Sequence, residues 1–267
     1  MPSDIYSHGH HESVLRSHSW RTAANSAAYL LPRLAPGVAL LDVGCGPGTI
    51  TLDLATHVAP GRVVGIDTVE APLEVARANA SERADTTTEF AIGDVYALDF
   101  ADDTFDVVHA HQVLQHLTDP VAALQEMRRV CRPGGTIAVR DADYAAMTWF
   151  PADRRLDDWL ELYEQVARGN HAEPDAARHL LAWAHAAGLD DVVCSADTWC
   201  YASASEREWW GGLWADRVTQ SALAEQAVAR GLATPDRLEE LADGWRAWAA
   251  HPDAWFAVLN GEILARA

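Results

Sequence analysis

The sequence predicts an α/β protein, with a doubly wound, mostly parallel sheet joined to a helical cap. Three observations lead there. Five short apolar runs alternate with helix-patterned segments between residues 38 and 140. Three glycines at alternate positions, Gly44, Gly46 and Gly48, separate the first run from the first helix. Ten of the eleven tryptophans fall after residue 140, where the alternation stops.

Residues 1–35 open with the polar, histidine-rich MPSDIYSHGHHESVLRSH, which is neither a signal nor a transit peptide and reads as a helical segment. Residues 36–141 form the core. Its strands are expected at Val38–Val43, Val63–Asp67, Glu89–Ile92, Phe105–Ala110 and Thr136–Arg140, apolar at nearly every position, as strands covered on both faces must be. Helical spacing fills 49–58, 71–83 and 120–131 between them. Repeated strand–helix–strand units require right-handed crossovers and a parallel sheet. Pro36-Gly37, Arg132-Pro133-Gly134-Gly135 and His251-Pro252-Asp253 punctuate turns. Residues 142–190 read as a helical insertion, with helix over 144–187. Residues 191–267 hold two last strands, Asp191–Ala196 and Trp255–Asn260, around a tryptophan-rich helical insertion at 203–249. Those tryptophans serve either as the core of the cap or as walls of an apolar or aromatic pocket.

Composition narrows the function. The chain has 267 residues, 49% hydrophobic, and a formal charge of −19 from 39 acidic and 20 basic residues. All the basic residues are arginine. Schiff-base catalysis and a Walker-type phosphate loop, which need lysine, are therefore excluded. The acidic balance opposes extended contact with nucleic acid. No apolar run reaches the ~18–20 residues of a membrane span, so a cytoplasmic protein is expected. Cys45, Cys131, Cys194 and Cys200 form no C-x2-C pair; they read as small core residues, with no disulfide and no metal site.

The segment 40-LLDVGCGPGTITLDLA-55 is a strand, a tight turn and a helix. Its glycines let backbone approach a ligand, and the helix start presents free N–H groups. Two cofactor classes compete. A dinucleotide site has G-x-G-x-x-G with a pyrophosphate on the helix. Here the spacing is G-x-G-x-G, preceded by Asp42, which repels a pyrophosphate but suits the α-amino group of an amino-acid-derived cofactor. Asp67, ending the second strand, suits ribose hydroxyls in either class.

These residues, with VVGID, Gly93-Asp94-Val95, FDVVHAHQVLQHLTDP and 131-CRPGG in the same order, resemble the class I S-adenosylmethionine-dependent methyltransferases. The branch most resembled includes the ubiquinone and menaquinone C-methyltransferases. The resemblance spans residues 38–140 and fades beyond. It implies a Rossmann-like, seven-stranded sheet with a final antiparallel strand, to which Trp255–Asn260 corresponds. It implies S-adenosyl-L-methionine as cofactor, with Asp42, Gly44, Gly46 and Gly48 around the methionine moiety. Asp67 and the adjoining Thr68 would meet the ribose, Gly93 and Asp94 the adenine amino group, and Val95 the adenine ring. His111 would lie near the sulfonium, and the N-terminal segment would close the site.

Methyl transfer from a sulfonium is an in-line substitution that needs chiefly alignment and exclusion of water. A base is needed only when the nucleophile carries a proton. The candidates for catalysis are His111, His11, Tyr6 and Asp141. His11 clusters with His8, His10 and His18, a group that is alternatively a solvated terminus. His116 reads as a structural helix residue. Arg140, Asp141, Asp143 and Tyr144 either orient a substrate or pair among themselves. Asp42, Asp67 and Asp94 have alternative readings as capping or turn residues. The implied activity is methylation of a small, apolar or aromatic molecule. Nucleic-acid or protein methylation lacks its N-P-P-Y or D-P-P-Y tetrapeptide. The rival functions are a nicotinamide-dependent oxidoreductase, disfavoured by the glycine spacing and the missing lysine, and a non-catalytic binder of the same cofactor. Oligomeric state leaves no mark on the sequence.

Overall fold

The computed structural model describes residues 20–267. The expectations placed on Tyr6, His8, His10, His11 and His18 lie outside the described residues.

A short helix α1 (Ala23–Ser26), capped by the Thr22 hydroxyl, leads into β1 (Leu40–Val43). Then come α2 (Thr49–Val58), β2 (Val63–Asp67), α3 (Glu70–Glu82), β3 (Thr88–Ile92), β4 (Phe105–His111), α4 (Pro120–Val130) and β5 (Cys131–Ala142). The second part contains β6 (Thr148–Phe150), α5 (Arg154–Gly169), α6 (Leu180–Ala186), β7 (Asp190–Tyr201), α7 (Ala204–Gln220), α8 (Ala222–Ala229), α9 (Pro235–Ala250) and β8 (Trp255–Arg266). Local sequence fixes the helix starts. Asp119 accepts the Ala122 N–H ahead of Pro120, Ser203 and Glu206 form a capping box on α7, and Thr234 caps α9 before Pro235.

The order is β3-β2-β1-β4-β5-β8, with β1 to β5 mutually parallel and β8 antiparallel to β5. The sheet has eight strands where the family resemblance implies seven. The additional strand is β6, three residues long within a stretch whose spacing reads as helix. Its origin is geometric. β5 bonds only residues 260–266 of the twelve-residue β8, and β6 takes up 255–257 on the same edge. That edge would otherwise be left open. β7 covers the opposite edge, running from Asp190↔Arg266 to Tyr201↔Phe256. β7 and β8 are both longer than the apolar runs that announced them. In β5 the Arg132–Gly135 turn interrupts the register with β4, with Gly134 at φ +76°.

Alternation along the strands sends residues to two cores. Leu41, Val43, Val64, Ile66, Val108 and Val139 face α4 and α6. Leu40, Val63, Val107 and Ala138 face α1 and α2, around Leu30, Leu54 and Val58. Two residues further along this second face the core turns polar, giving a buried row of Asp42, His109, Arg140 and Glu262 across four strands. Arg140 Nη1 donates to Glu262 (2.7 Å) and Asp197 (3.2 Å), so its buried charge is paired, while its Nε and Nη2 have no hydrogen-bond partner among the described residues; Ser195 donates to Glu262.

A third core belongs to the cap. Trp159, Trp214, Trp245 and Trp248 are fully buried between α5, α7 and α9. Trp159 meets Trp214 at 4.5 Å and Trp245 at 4.7 Å edge-to-face, and Phe256 of β8 anchors the cluster to the sheet. Among the described residues no helix is long and apolar enough to cross a membrane.

Candidate active site

The turn between β1 and α2 is built on left-handed glycines, with φ of +66°, +53° and +73° at Gly44, Gly46 and Gly48. A Cβ on Gly44 would lie 2.5 Å from Val113 Cγ2, so only glycine lets the turn pass beneath the β4–α4 loop. Gly48 stands at the N-cap of α2 and brings no side chain over its first N–H groups, leaving the positive helix end facing the turn. Asp67, at the carboxyl end of β2, accepts the Gly46 N–H (3.0 Å) and the Val69 N–H (3.2 Å), which ties the turn to the next strand.

Asp42 sits under the turn, 3% exposed. Its Oδ2 accepts from the Thr51 hydroxyl at 2.5 Å and its Oδ1 lies 2.7 Å from His109 Nδ1. His109 Nε2 is buried with no hydrogen-bond partner among the described residues. The carboxylate therefore reaches the turn with both oxygens already held.

Above the turn lies a cavity of about 400 Å³, within the usual range for a small-molecule site. One end is walled by Asp42, Gly44, Gly46, Asp67, Asp94 and Val95, with Thr68 and Gly93 beside them. The other end is aromatic: Trp20 before α1, Tyr144 after β5, Trp199 and Tyr201 on β7, and Trp209 and Trp210 on α7 of the cap. His111, at the end of β4, belongs to the wall, its ring 5.7 Å from that of Trp199. So the two readings of the tryptophans overlap: Trp159, Trp245 and Trp248 belong to the cap core alone, while Trp199, Trp210 and Trp214 belong both to that core and to the cavity wall.

A row of amides crosses the cavity wall. Asn260 accepts from Gln112 (2.7 Å), Gln112 accepts from Gln115 (2.8 Å), and Gln115 Nε2 lies 3.0 Å from His116 Nε2. Gln112 pays for this placement with φ +57°, unfavourable for a residue with a Cβ. His116, read from the sequence as a structural helix residue, ends a 3-10 helix, Leu114–His116, in the cavity wall. Burial, reinforced by Arg21 and Arg217, pushes it down to about 3, so it is a neutral imidazole at physiological pH.

Asp141 is fully buried and absent from the cavity wall; its Oδ1 accepts the Gln115 N–H at 3.1 Å. Burial pushes its carboxyl up to about 7, opposed by N–H groups of residues 113–115. Arg140, Asp141, Asp143 and Tyr144 do not form one cluster. Arg140 joins the row beneath the sheet, Asp143 pairs with Arg178, and Tyr144 stacks on Tyr163 at 4.1 Å within the wall. Gly48 packs against Phe90 and Ala76 below the turn, while the other two glycines line the cavity. Cys45 and Cys131 are buried as expected, but Cys194 and Cys200 are exposed, because they lie on the uncovered positions of β7. Among the described residues no three His, Cys, Asp or Glu side chains converge as metal ligands.

Arg21 and Arg217 escape the sequence reading. Both line the aromatic end, Arg217 only 4% exposed, and each guanidinium lies over an indole: Arg21 over Trp199 at 5.5 Å and Arg217 over Trp214 at 4.6 Å. The available signal was an arginine within an apolar helical stretch, 213-LWADRV-218.

A family model described as a methyltransferase domain matches residues 34–208. An uncharacterized methyltransferase of Schizosaccharomyces pombe is 33% identical over 98% of this chain and 97% of its own length. Demethylmenaquinone methyltransferase of Lactococcus lactis is 37% identical over 42% of this chain and 44% of its own. Among solved structures, Haemonchus contortus phosphoethanolamine N-methyltransferase 2 with bound S-adenosylhomocysteine superposes with a TM-score of 0.59 at 16% identity, covering 95% of this chain and 57% of that one.

Proposed function

Because the chain belongs to the class I S-adenosylmethionine-dependent methyltransferases, we propose that it methylates a small apolar or aromatic molecule by in-line substitution. S-Adenosyl-L-methionine is the cofactor. The observation that carries the acceptor reading is the two-ended cavity, a glycine turn and carboxylates at one end and tryptophan and tyrosine rings at the other.

The residues fit the cofactor. The turn leaves a cradle that a Cβ on Gly44 would disturb, and Asp67 lies at the strand end where ribose hydroxyls are bound in such folds. Asp42, Gly44 and Gly46 would hold the methionine end, Asp67 and Thr68 the ribose, and Gly93, Asp94 and Val95 the adenine. The bound cofactor supplies an electrophilic methyl carbon on a sulfonium leaving group. The protein's task is then to align the acceptor and exclude water. The rings of Trp199, Tyr201 and Trp210 would exclude water, and His111, in the same cavity wall, would orient the acceptor. Asp141 would act by holding the 113–115 backbone. Four free thiols and the acidic, lysine-free surface suit a cytoplasmic enzyme.

Calorimetric titration with S-adenosylhomocysteine and, separately, NAD tests the reading. Binding of the first and not the second is expected. Tight NAD binding without S-adenosylhomocysteine binding refutes it. A crystal structure with S-adenosylhomocysteine would then show the space beyond the sulfur, and space too small for an aromatic ring would remove the aromatic acceptor.

A further inference from the structure

Histidine costs free energy at position 109. The residues around it on the same face of the sheet, Leu40, Val107 and Ala138, are apolar and buried, and an apolar side chain would fill the space without removing two ring nitrogens from water. His109 is fully buried all the same, and only one of its nitrogens is used. Nδ1 lies 2.7 Å from Asp42 Oδ1, while Nε2 has no hydrogen-bond partner among the described residues. For packing alone a hydrocarbon would serve better.

What His109 serves is the carboxylate at the cofactor end of the cavity. Asp42 and His109 are register partners on the parallel strands β1 and β4, so the ring stands beside the carboxylate. A carboxylate accepts hydrogen bonds and does not donate them, so the Nδ1 facing it carries the proton. Thr51, fully buried in the first turn of α2, donates its hydroxyl to the other oxygen at 2.5 Å. Two donors from two different elements therefore fix the rotation of the carboxylate, in surroundings closed to water. Each carboxylate oxygen has about two lone-pair sites, so each retains capacity for a cationic ligand. Asp42 borders the cavity, whereas His109 and Thr51 lie behind it. We propose that His109 is a positioning residue for the methyl donor, holding the Asp42 carboxylate in the orientation that receives the cofactor's α-ammonium group. This rests on the proposed function and deepens it, by assigning a role to a residue outside the cavity wall.

The test compares S-adenosylhomocysteine with its deaminated analogue, which lacks only the α-amino group, on the full-length protein. Affinities are read by calorimetry, with displacement of S-adenosylhomocysteine for the weaker ligand. The parent should prefer the amino compound by about tenfold or more, as a charge-assisted hydrogen bond predicts. In H109F the preference should fall below about threefold through loss of S-adenosylhomocysteine affinity, the analogue binding as it does to the parent. H109N, whose side-chain amide can donate from nearly the place of Nδ1, should restore most of it. A role confined to shaping the turn would weaken both ligands alike; that result, an undiminished preference in H109F, or an H109N as poor as H109F overturns the proposal. If H109F does not fold, nitrogen-15 NMR of the parent imidazoles replaces it. His109 should be the Nδ1–H tautomer, and Nδ1 should shift further with S-adenosylhomocysteine than with the analogue; an Nε2–H tautomer, or equal shifts, overturns the proposal. A parent that binds both ligands equally overturns it too and leaves the methyltransferase reading standing. Failure of the parent to bind S-adenosylhomocysteine overturns that reading and this proposal with it.

Discussion

Replacement of Asp141 by asparagine should change stability with opposite signs at pH 4 and pH 8. The Asp141 carboxyl is raised by burial from an ordinary 3.8 to about 7. A raised carboxyl means that the folded protein holds its proton more firmly than the unfolded chain does. Stability is then full below pH 3.8 and declines as pH rises towards 7. At ~1.36 kcal/mol per pKa unit, about three units correspond to ~4 kcal/mol lost across that window. Asparagine keeps the oxygen that accepts the Gln115 N–H but never ionises. Its amide puts donors where Oδ2 has no partner among the described residues, at a cost of ~1–3 kcal/mol. At pH 4 the parent has lost only ~0.5 kcal/mol of this, so D141N should be less stable than the parent there and more stable by ~1–3 kcal/mol at pH 8. Urea unfolding at the two pH values, followed by tryptophan fluorescence, measures both differences. A D141N that loses stability equally at pH 4 and pH 8 would refute the reasoning, since it would show the native carboxylate ionised and satisfied throughout.

Three further outcomes are expected. G44A forces a left-handed alanine, at ~1–2 kcal/mol, against Val113 Cγ2 at 2.5 Å, and should weaken S-adenosylhomocysteine at least ~10-fold by calorimetry. D67A removes an acceptor from Gly46 and Val69 as well as the proposed ribose contact; charged hydrogen bonds of ~1.5–3 kcal/mol predict a Kd increase of ~10- to 100-fold, and an unchanged Kd would exclude Asp67 from the site. W159A empties the centre of the cap core and should cost ~3–5 kcal/mol in urea unfolding, whereas a loss below ~1 kcal/mol would mean that the cap does not unfold with the sheet.

The first part of the chain was legible because its signals are local. Apolar runs located β1 to β5, and the glycines and Asp67 lie within 25 residues of Asp42, so one strand–turn–helix reading captured them together. β6 was hidden because three residues have no period, and what makes them a strand is the unfilled edge of β8. The aromatic end was hidden for a related reason. Arg21 and Arg217 meet the same side chains only after β7 and α7 have folded back over the sheet, and no spacing rule links them. Asp141 was noticed as a titratable group at a strand end, but its backbone partners come from the loop after β4. The buried Asp42–His109 pair combines both cases: the aspartate belongs to the turn motif, and its histidine stands 67 residues away on the neighbouring strand.

The pairing of Tyr201 with Phe256 gives the cap an unusual freedom. The chain leaves the sheet after Tyr201, builds α7, α8 and α9, and returns at Trp255 beside the point of departure. Everything between is topologically a loop of a β-hairpin. Its helices can lengthen, shorten or be exchanged for others while the ladder between β7 and β8 keeps its register, because both ends of the excursion are already fixed to each other. Arg217, Trp210 and Trp214 belong to that excursion, whereas the glycine turn, Asp67 and Asp94 do not. Diversification of acceptors in such a scaffold can therefore proceed by rewriting one hairpin loop, with the methyl-donor half inherited unaltered.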